Sequence, residues 1–135
     1  MSYLIDTDII IYSLKGDAIV QNRFSLNENI PKAISVITYG ELLYGAKKSR
    51  NVEKNLAVVY RIKELFPIIG IDKAVMETFS AVKVTIQKIG SSIDDMDLLI
   101  ASTAMTMNYT LVTNNEKHFG KIKGLKIENW SRESS

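Results

Sequence analysis

The sequence predicts an α/β fold, a three-layer α/β/α sandwich built on a mostly parallel sheet of about five strands. Short apolar, β-branched segments alternate along the chain with longer segments of helical periodicity, as in parallel sheets whose strands are joined by crossover helices. The length of 135 residues suits one domain. We therefore predict a single domain over residues 1–130, followed by a polar C-terminal tail, 131–135.

Acidic residues follow the first predicted strand directly. Tyr3-Leu4-Ile5 is apolar, and Asp6-Thr7-Asp8 separates this strand from an apolar helix that starts at Ile9. Carboxylates are rarely buried unless they are paired or bound to a cation. Because open α/β sheets bind ligands at the carboxyl ends of their strands, Asp6 is a candidate functional residue. Asp8 is interpreted as the cap of the helix.

The remaining elements follow from residue propensity and helical periodicity. Further helices are predicted at 17–24, after Thr38, at 52–65, 72–89 and 95–107, and in a short segment that ends at Phe119. Further strands are predicted at 33–37, 68–71, 110–113 and 125–127. We expect Asp72 to cap the long helix and Gly90 to end it.

Glu41 fits two roles. Thr38-Tyr39-Gly40-Glu41 has the form of a capping box, in which the Glu41 carboxylate would accept a hydrogen bond from the Thr38 amide. A position in the first turn after a strand would also direct this carboxylate toward the sheet edge. Gly40 and Gly45 each cost a helix roughly 1 kcal/mol relative to Ala, which favours close backbone packing beside Glu41.

Three acids, Asp94, Asp95 and Asp97, open the helix that follows Gly90. Capping and the helix macrodipole account for one or two of them. Asp97 stands immediately before the apolar Leu98-Leu99-Ile100-Ala101 and shares a helix side with Asp94. We predict that Asp97 is a ligand and that Asp94 is a cap or supports the site.

Polar residues 113–116 follow the fourth predicted strand, so they are expected at the same sheet edge as Asp6, Glu41 and Asp97. Carboxylates gathered in one pocket repel each other unless a cation lies among them. The chain has no Cys and a single His, His118, so the ligands would be oxygens, which suit Mg²⁺ or Mn²⁺ better than zinc. A lone His is more often a partly buried packing residue than a ligand.

Basic residues form two groups along a chain whose net charge is only +2. The candidates for phosphate contact are Lys47, Lys48, Arg50, Lys117 and Lys121. Taken alone, each group is more typical of a solvated helix or loop surface. No apolar run is long enough to span a bilayer and no signal segment is recognisable, so we expect a soluble, cytoplasmic protein.

Five segments resemble, in order and spacing, the PIN-domain proteins of the VapC toxin family. They are YLIDTDIIIY, SVITYGELLYGA, IDDMDLLIASTA, TLVTNNEKHF and GLKIENW, and together they extend from Tyr3 to Trp130. The resemblance implies a PIN-like sandwich and an Mg²⁺- or Mn²⁺-dependent endoribonuclease that is the toxin of a type II toxin–antitoxin system.

The resemblance also assigns residues. Asp6, Glu41 and Asp97 correspond to the first three acids of the family's catalytic metal site, and Thr113 to a hydroxyl residue that hydrogen-bonds within it. The fourth acidic position falls on Asn115, which adds no negative charge and weakens the case for a second metal. Glu116, the next residue, is an alternative source of that charge.

The implied mechanism is in-line attack of a metal-activated water on an RNA phosphodiester, leaving a 5′-phosphate and a 3′-hydroxyl. The two basic groups would bind the RNA, read as structure or exposed loop. The implied partner is a VapB-type antitoxin, whose C-terminal peptide or helix would lie in a groove between the helix starting at Ile9 and that of Leu42-Leu43-Tyr44. A homodimer and a hetero-oligomer with the antitoxin are also implied.

Two other functions compete. In a phospho-receiver-like signalling domain, the required acids and hydroxyl would fall on Asp6, Asp8, Asp72 and Thr113. That interpretation leaves Glu41 and Asp97 without a role and lacks a lysine at the end of the fifth strand. The second alternative is a catalytically weakened PIN domain that is kept for binding, which Asn115 would favour.

Overall fold

The computed structural model describes residues 1–133, in which helices and strands alternate as the sequence predicts. The strands are β1 (Tyr3–Ile5), β2 (Lys32–Ser35), β3 (Ile68–Ile69), β4 (Thr110–Val112) and β5 (Ile127–Glu128). The helices are α1 (Thr7–Leu14), α2 (Ala18–Leu26), α3 (Val36–Lys47), α4 (Val52–Leu65), α5 (Lys73–Lys88), α6 (Asp95–Met107) and α7 (Glu116–Phe119). Residues 134–135 of the predicted tail lie outside the described residues.

The five strands form one parallel sheet in the order β3-β2-β1-β4-β5. The central strand β1 pairs with β2 and with β4, with Ile5 opposite Val112. The predicted parallel sheet is therefore confirmed. Because β1 and β4 end side by side, the residues that follow them meet at one edge of the sheet.

Side chains of β1 alternate between two apolar cores. Tyr3 and Ile5 pack into the core that contains side chains of α1 to α4, whereas Leu4 packs into the core that contains side chains of α5 to α7. All three residues are buried, as expected for the central strand of a parallel sheet covered on both faces. The predicted three-layer sandwich is confirmed.

Trp130 joins the C-terminal segment to the first of these cores. It is fully buried, and its ring makes edge-to-face contacts with Tyr3 and Phe24, each at a centroid distance of 5.0 Å. Its indole Nε1 donates to Glu128 Oε1 at 3.0 Å. The boundary at residue 130 stays a prediction, but the tail begins with a contact: Ser131 Oγ donates to Asn114 Oδ1 at 2.6 Å.

Several element boundaries differ from the prediction, among them the end of β3, at Ile69 instead of residue 71. β2 ends at Ser35, whose hydroxyl accepts from the Ile37 amide at 3.0 Å and caps α3. Thr38 is therefore a buried residue inside α3, and the predicted capping box between Thr38 and Glu41 is wrong. The strand propensity of Val36 and Ile37 concealed the cap. β5 is also shifted, to Ile127–Glu128.

The predicted close packing at the glycines of α3 is wrong as well, because a Cβ on Gly40 or Gly45 would meet nothing within 4 Å. Other local predictions are confirmed. Asp72 caps α5 by accepting from the Val75 amide at 2.9 Å, and α6 ends at Asn108 in the left-handed conformation. Within residues 1–133, no helix has both the length and the apolar character needed to cross a membrane.

We expect Trp130→Ala to lower the free energy of unfolding by about 3–5 kcal/mol, because it removes the aromatic contacts and leaves a cavity. Trp130→Phe should cost less, since the ring contacts are partly kept. Urea unfolding followed by circular dichroism measures both changes. Arg132→Ala removes an exposed ion pair with Glu116 and is the control, with a change under about 1 kcal/mol. Equal losses for all three variants would contradict the structural role of Trp130.

Candidate active site at the carboxyl edge of the sheet

Asp6 lies at the junction between the central strand and the first helix. Its backbone amide donates to the Val112 carbonyl at 2.9 Å, which aligns it with the end of β4. Its carboxylate occupies the N-cap position of α1, where Oδ1 accepts from the Thr7 amide at 2.8 Å. The Asp6 residue is only 6% exposed. The chain thus buries a carboxylate at the sheet edge.

Thr113 holds the second carboxylate oxygen of Asp6. The buried Thr113 hydroxyl, which directly follows β4, donates to Asp6 Oδ2 at 2.7 Å. The same hydroxyl accepts from the Asn115 amide at 3.0 Å, so the loop between β4 and α7 is tied to the acid. Hydrogen bonds from two elements therefore fix the orientation of the Asp6 carboxylate.

Glu41 reaches the same edge from α3. The Thr7 hydroxyl donates to Glu41 Oε1 at 2.6 Å and lies 3.0 Å from the Thr38 hydroxyl. Glu41 itself is exposed. Because Thr7 follows Asp6 in the chain, this contact brings the side of α3 that carries Glu41 next to the first acid.

Asp97 approaches from the first turn of α6 and is partly buried. Burial raises the pKa of Asp97, and the negative charges of Asp94 and Glu41 raise it further, while the charge of His118 lowers it. The charges of all three groups therefore act on the Asp97 carboxylate. Asp94 is the N-cap of α6 and accepts from the Met96 amide at 3.0 Å, as predicted.

His118 is exposed, so its interpretation as a partly buried packing residue is wrong. Its Nδ1 lies 3.1 Å from Asn115 Nδ2, on the loop that also carries Thr113. The sequence does carry a signal for the contact between His118 and Asn115. The two residues are three apart at the start of a helix, which places both side chains on one side of the first turn.

Asp8 does not cap α1, because Asp6 occupies that position. Instead Asp8 lies in the first turn and turns its carboxylate to the neighbouring loop, where Oδ2 accepts from the Asn114 amide at 3.1 Å. Oδ1 is buried without a hydrogen-bond partner, the one such side-chain atom in the part of the chain described. Sequence reasoning missed this residue because two acids at a strand–helix junction are equally plausible caps.

Burial, and after it mutual repulsion, disfavours the charged form of the acids in the metal-free site. Burial raises the pKa of Asp6 to about 7, and the charges of Asp8 and Asp97 add to this rise. Hydrogen bonds from Thr113 and the Thr7 amide act in the opposite direction. Burial and the charge of Asp97 also raise the pKa of Asp8. The site therefore places ionisable carboxylates where their negative charge is not fully compensated.

Other candidates have different surroundings. Both carboxylate oxygens of Glu116 accept hydrogen bonds from the C-terminal segment, from Asn129 at 2.9 Å and from Arg132 at 2.7 Å. Asp72 caps α5 after the edge strand β3, far in strand order from β4, which disfavours the receiver-like alternative.

The candidate phosphate-contact residues are on exposed surface. Lys47 and Lys48 are at the C-terminal end of α3, where the Lys48 ammonium lies 4.8 Å from the centre of the Tyr44 ring, and Arg50 follows nearby. Lys117 is in α7 beside His118. Lys121 donates to Ser91 Oγ at 3.2 Å.

The donor chemistry of the site fits a hard divalent cation. Within residues 1–133, no three acidic or histidine side chains are already grouped closely enough to hold a metal ion. The buried Asp8 Oδ1 nevertheless lacks a partner, and Asp6, Asp8 and Asp97 repel one another. Carboxylate oxygens in an open arrangement, completed by water, are typical of Mg²⁺ sites.

Comparisons with known proteins agree on one family. The sequence model of the PIN domain matches residues 3–125. The chain is 33% identical to "tRNA(fMet)-specific endonuclease VapC" of Shigella flexneri, over 97% of this chain and 99% of that protein. It is 35% identical to "Ribonuclease VapC2" of Rickettsia felis, over 98% of this chain and all of that protein.

Solved structures give the same result. The crystal structure of VapBC2 from Rickettsia felis, bound to a DNA fragment from its promoter, contains a chain that matches with a TM-score of 0.90 and 35% identity, over 96% of this chain and 99% of that one. A chain of the DNA-bound VapBC from Salmonella typhimurium matches with a TM-score of 0.89 and 31% identity, over 96% and 98% of the two chains.

We expect the metal-free protein to lose stability relative to Asp6→Asn as the pH rises from about 4 to about 7. The folded-state pKa of Asp6, about 7, lies above the ordinary value of 3.8, so the folded state binds this proton more tightly and the stabilisation is lost as the pH passes through 7. The loss should not exceed about 1.4 kcal/mol per pH unit. Urea unfolding in EDTA measures the difference, and a difference that grows in favour of the unsubstituted protein with rising pH would contradict this expectation.

Proposed function

Because the chain belongs to the PIN-domain family, in its VapC group, we propose that it is the toxin of a type II toxin–antitoxin system, an endoribonuclease that hydrolyses RNA phosphodiester bonds. The observation that carries the proposal is similarity over nearly the whole length to VapC ribonucleases, in a chain with acids at the carboxyl edge of its sheet.

We propose that Asp6, Glu41 and Asp97 hold Mg²⁺ or Mn²⁺. The oxygen donors, the burial of Asp6 and the raised pKa of Asp6 and Asp97 support this assignment, because a cation among the carboxylates would offset their repulsion. When bound, the ion supplies polarisation of the attacking water and stabilisation of the charge that develops on the phosphate. Asp94, as the cap beside Asp97, keeps the first turn of α6 in position.

The protein's own residues orient the reacting groups. Thr113 and the Thr7 amide fix the Asp6 carboxylate, and the Thr7 hydroxyl fixes one oxygen of Glu41. The second oxygen of Glu41 can then accept the proton of the attacking water as a general base. The contact of Asn115 with His118 would hold the shape of the loop beside the bound RNA.

We propose a structured RNA, of the tRNA class, as the substrate. The support is the name of relatives from Shigella flexneri and Salmonella typhimurium, each a tRNA(fMet)-specific endonuclease at 33% and 31% identity. The exposed basic residues near the ends of α3 and α7 supply phosphate contacts for such a substrate. They are Lys47, Lys48, Arg50, Lys117 and Lys121.

The partner is a VapB-type antitoxin, and we propose that it docks in the groove between α1, α3 and α4. This groove has a volume of about 530 Å³, and its apolar lining includes Ile11, Leu14 and Val58. Glu41 is also part of its lining, so an occupant would extend to the acids of the site. The matching structures are VapBC complexes, which supports assembly with an antitoxin, and we propose a toxin homodimer within that assembly.

We expect the purified protein to cleave tRNA only with Mg²⁺ or Mn²⁺. Asp6→Asn and Asp97→Asn should each lower the cleavage rate at least about a hundredfold, because each removes a cation-binding charge. Their melting temperature without metal should stay equal or rise, since repulsion is relieved. Gel analysis of the cleavage products and thermal unfolding give the two readouts.

Asp95→Asn is the matched control for this experiment. Asp95 is an exposed acid of the same helix turn, paired with Lys83 at 2.9 Å, and its substitution should leave the rate nearly unchanged. Cleavage that needs no metal and survives both Asp6→Asn and Asp97→Asn would reject the proposed chemistry.

We expect Gly45→Leu to weaken binding of the cognate antitoxin, because its side chain would fill the groove between α1, α3 and α4. Gly40→Leu is the matched control, since it lies in the same helix, has equally open space around it and is not part of the groove lining. Isothermal titration of both variants with the antitoxin, together with their nuclease activity, separates docking from folding. Equal affinity of the two variants would place the antitoxin elsewhere.

A further inference from the structure

Asp8 is a carboxylate that the proposed mechanism does not use. One of its oxygens, Oδ2, accepts from the Asn114 amide, while Oδ1 is buried without any partner. A buried polar atom without a hydrogen bond is costly, and a carboxylate oxygen that stays ionised is more costly still. The described residues offer no donor to this atom, so its environment suits a ligand that carries positive charge.

Asp8 is also close to the acids of the site. It follows Asp6 by two residues, and its partner Asn114 directly follows Thr113, whose hydroxyl donates to Asp6. Asp6 and Asp97 come from two elements, the junction of β1 with α1 and the first turn of α6. Asp8 therefore lies beside Asp6, the first of the acids that would bind the cation.

The loop after β4 does not supply a further negative charge to this space. Asn115 is neutral, and its side-chain amide is engaged with His118. Glu116 is acidic, but both of its oxygens accept hydrogen bonds from Asn129 and Arg132. Asp8 contacts this same loop at Asn114, so its charge lies beside the position that Asn115 leaves neutral.

We propose that Asp8 is a further cation-binding residue of the site, whose Oδ1 supplies the negative charge that Asn115 lacks. This inference rests on the proposed metal-dependent function and adds a residue to it. The competing explanation is purely structural, in which Asp8 only holds the loop through the Asn114 amide. The two explanations differ in whether the charge of Asp8 matters or only its hydrogen bond.

Asp8→Asn separates them, because an Asn oxygen can still accept from the Asn114 amide while the charge is lost. Mn²⁺ is titrated into the metal-free protein in the absence of RNA, and free Mn²⁺ is measured by electron paramagnetic resonance. We expect Asp8→Asn to weaken Mn²⁺ binding at least about tenfold. Asp72→Asn is the control, since it also replaces an acid that accepts from a backbone amide, and its Mn²⁺ affinity should be unchanged.

Two results would overturn the inference in distinguishable ways. If Asp6→Asn weakens Mn²⁺ binding and Asp8→Asn does not, Asp8 has only the structural role. If the unsubstituted protein binds no Mn²⁺, the proposed metal site fails and the role of Asp8 with it. Should Asp8→Asn not fold, as judged by circular dichroism, Asp8→Ser keeps an oxygen acceptor, removes the charge and carries the same expectations.

A second substitution tests the compensation itself. In the double variant Asp8→Asn/Asn115→Asp, one negative charge is removed and another is added on the adjacent loop. We expect the double variant to recover most of the Mn²⁺ affinity that Asp8→Asn loses. An affinity no better than that of Asp8→Asn would overturn the statement that the two positions supply the same charge.

Discussion

The hydrogen bond between Thr113 and Asp6 joins the two strands at the centre of the sheet at the point where both end. It stabilises the ionised form of a carboxylate whose burial opposes ionisation, and the Thr7 amide acts in the same sense. These hydrogen bonds offset only part of the free-energy cost of ionising the buried Asp6, because the negative charges of Asp8 and Asp97 also oppose its ionisation. Contacts from the end of β4, from the first turn of α1 and, through Thr113, from the next loop all meet at this one side chain.

The neighbouring contacts extend this arrangement to both layers of helices. Thr7 joins α1 to Glu41 of α3, on the layer that contains α1 to α4. Asp97 belongs to α6 on the opposite layer. The site is thus assembled from residues that are distant in sequence, each held by an element packed on its own core. Because packed helices and strands carry these acids, the acids are held rigidly relative to one another.

Much of the fold and of the site followed from the sequence, because strand propensity and helical periodicity locate the strand ends, and parallel strands bring their ends together. The positions of Asp6 and Thr113 at one edge of the sheet needed no more than that, whereas the hydrogen-bonding role of Thr113 was implied by the family resemblance. The errors arose where two residues competed for one local role. Ser35 and Thr38 are both good caps, and Asp6 and Asp8 are both good caps, so only the three-dimensional path of the chain decides between them. The exposure of His118 likewise depends on packing that periodicity does not describe.

The contacts of the last described residues have a practical consequence for how the protein is handled. Ser131 and Arg132 bind Asn114 and Glu116, so the last described residues lie against the loop that carries Thr113. Met1 is exposed and precedes β1, at the amino ends of the strands. An affinity tag or fluorescent fusion at the N-terminus would therefore leave the acids undisturbed, whereas shortening the chain before Ser131 would remove contacts to the loop that carries Thr113.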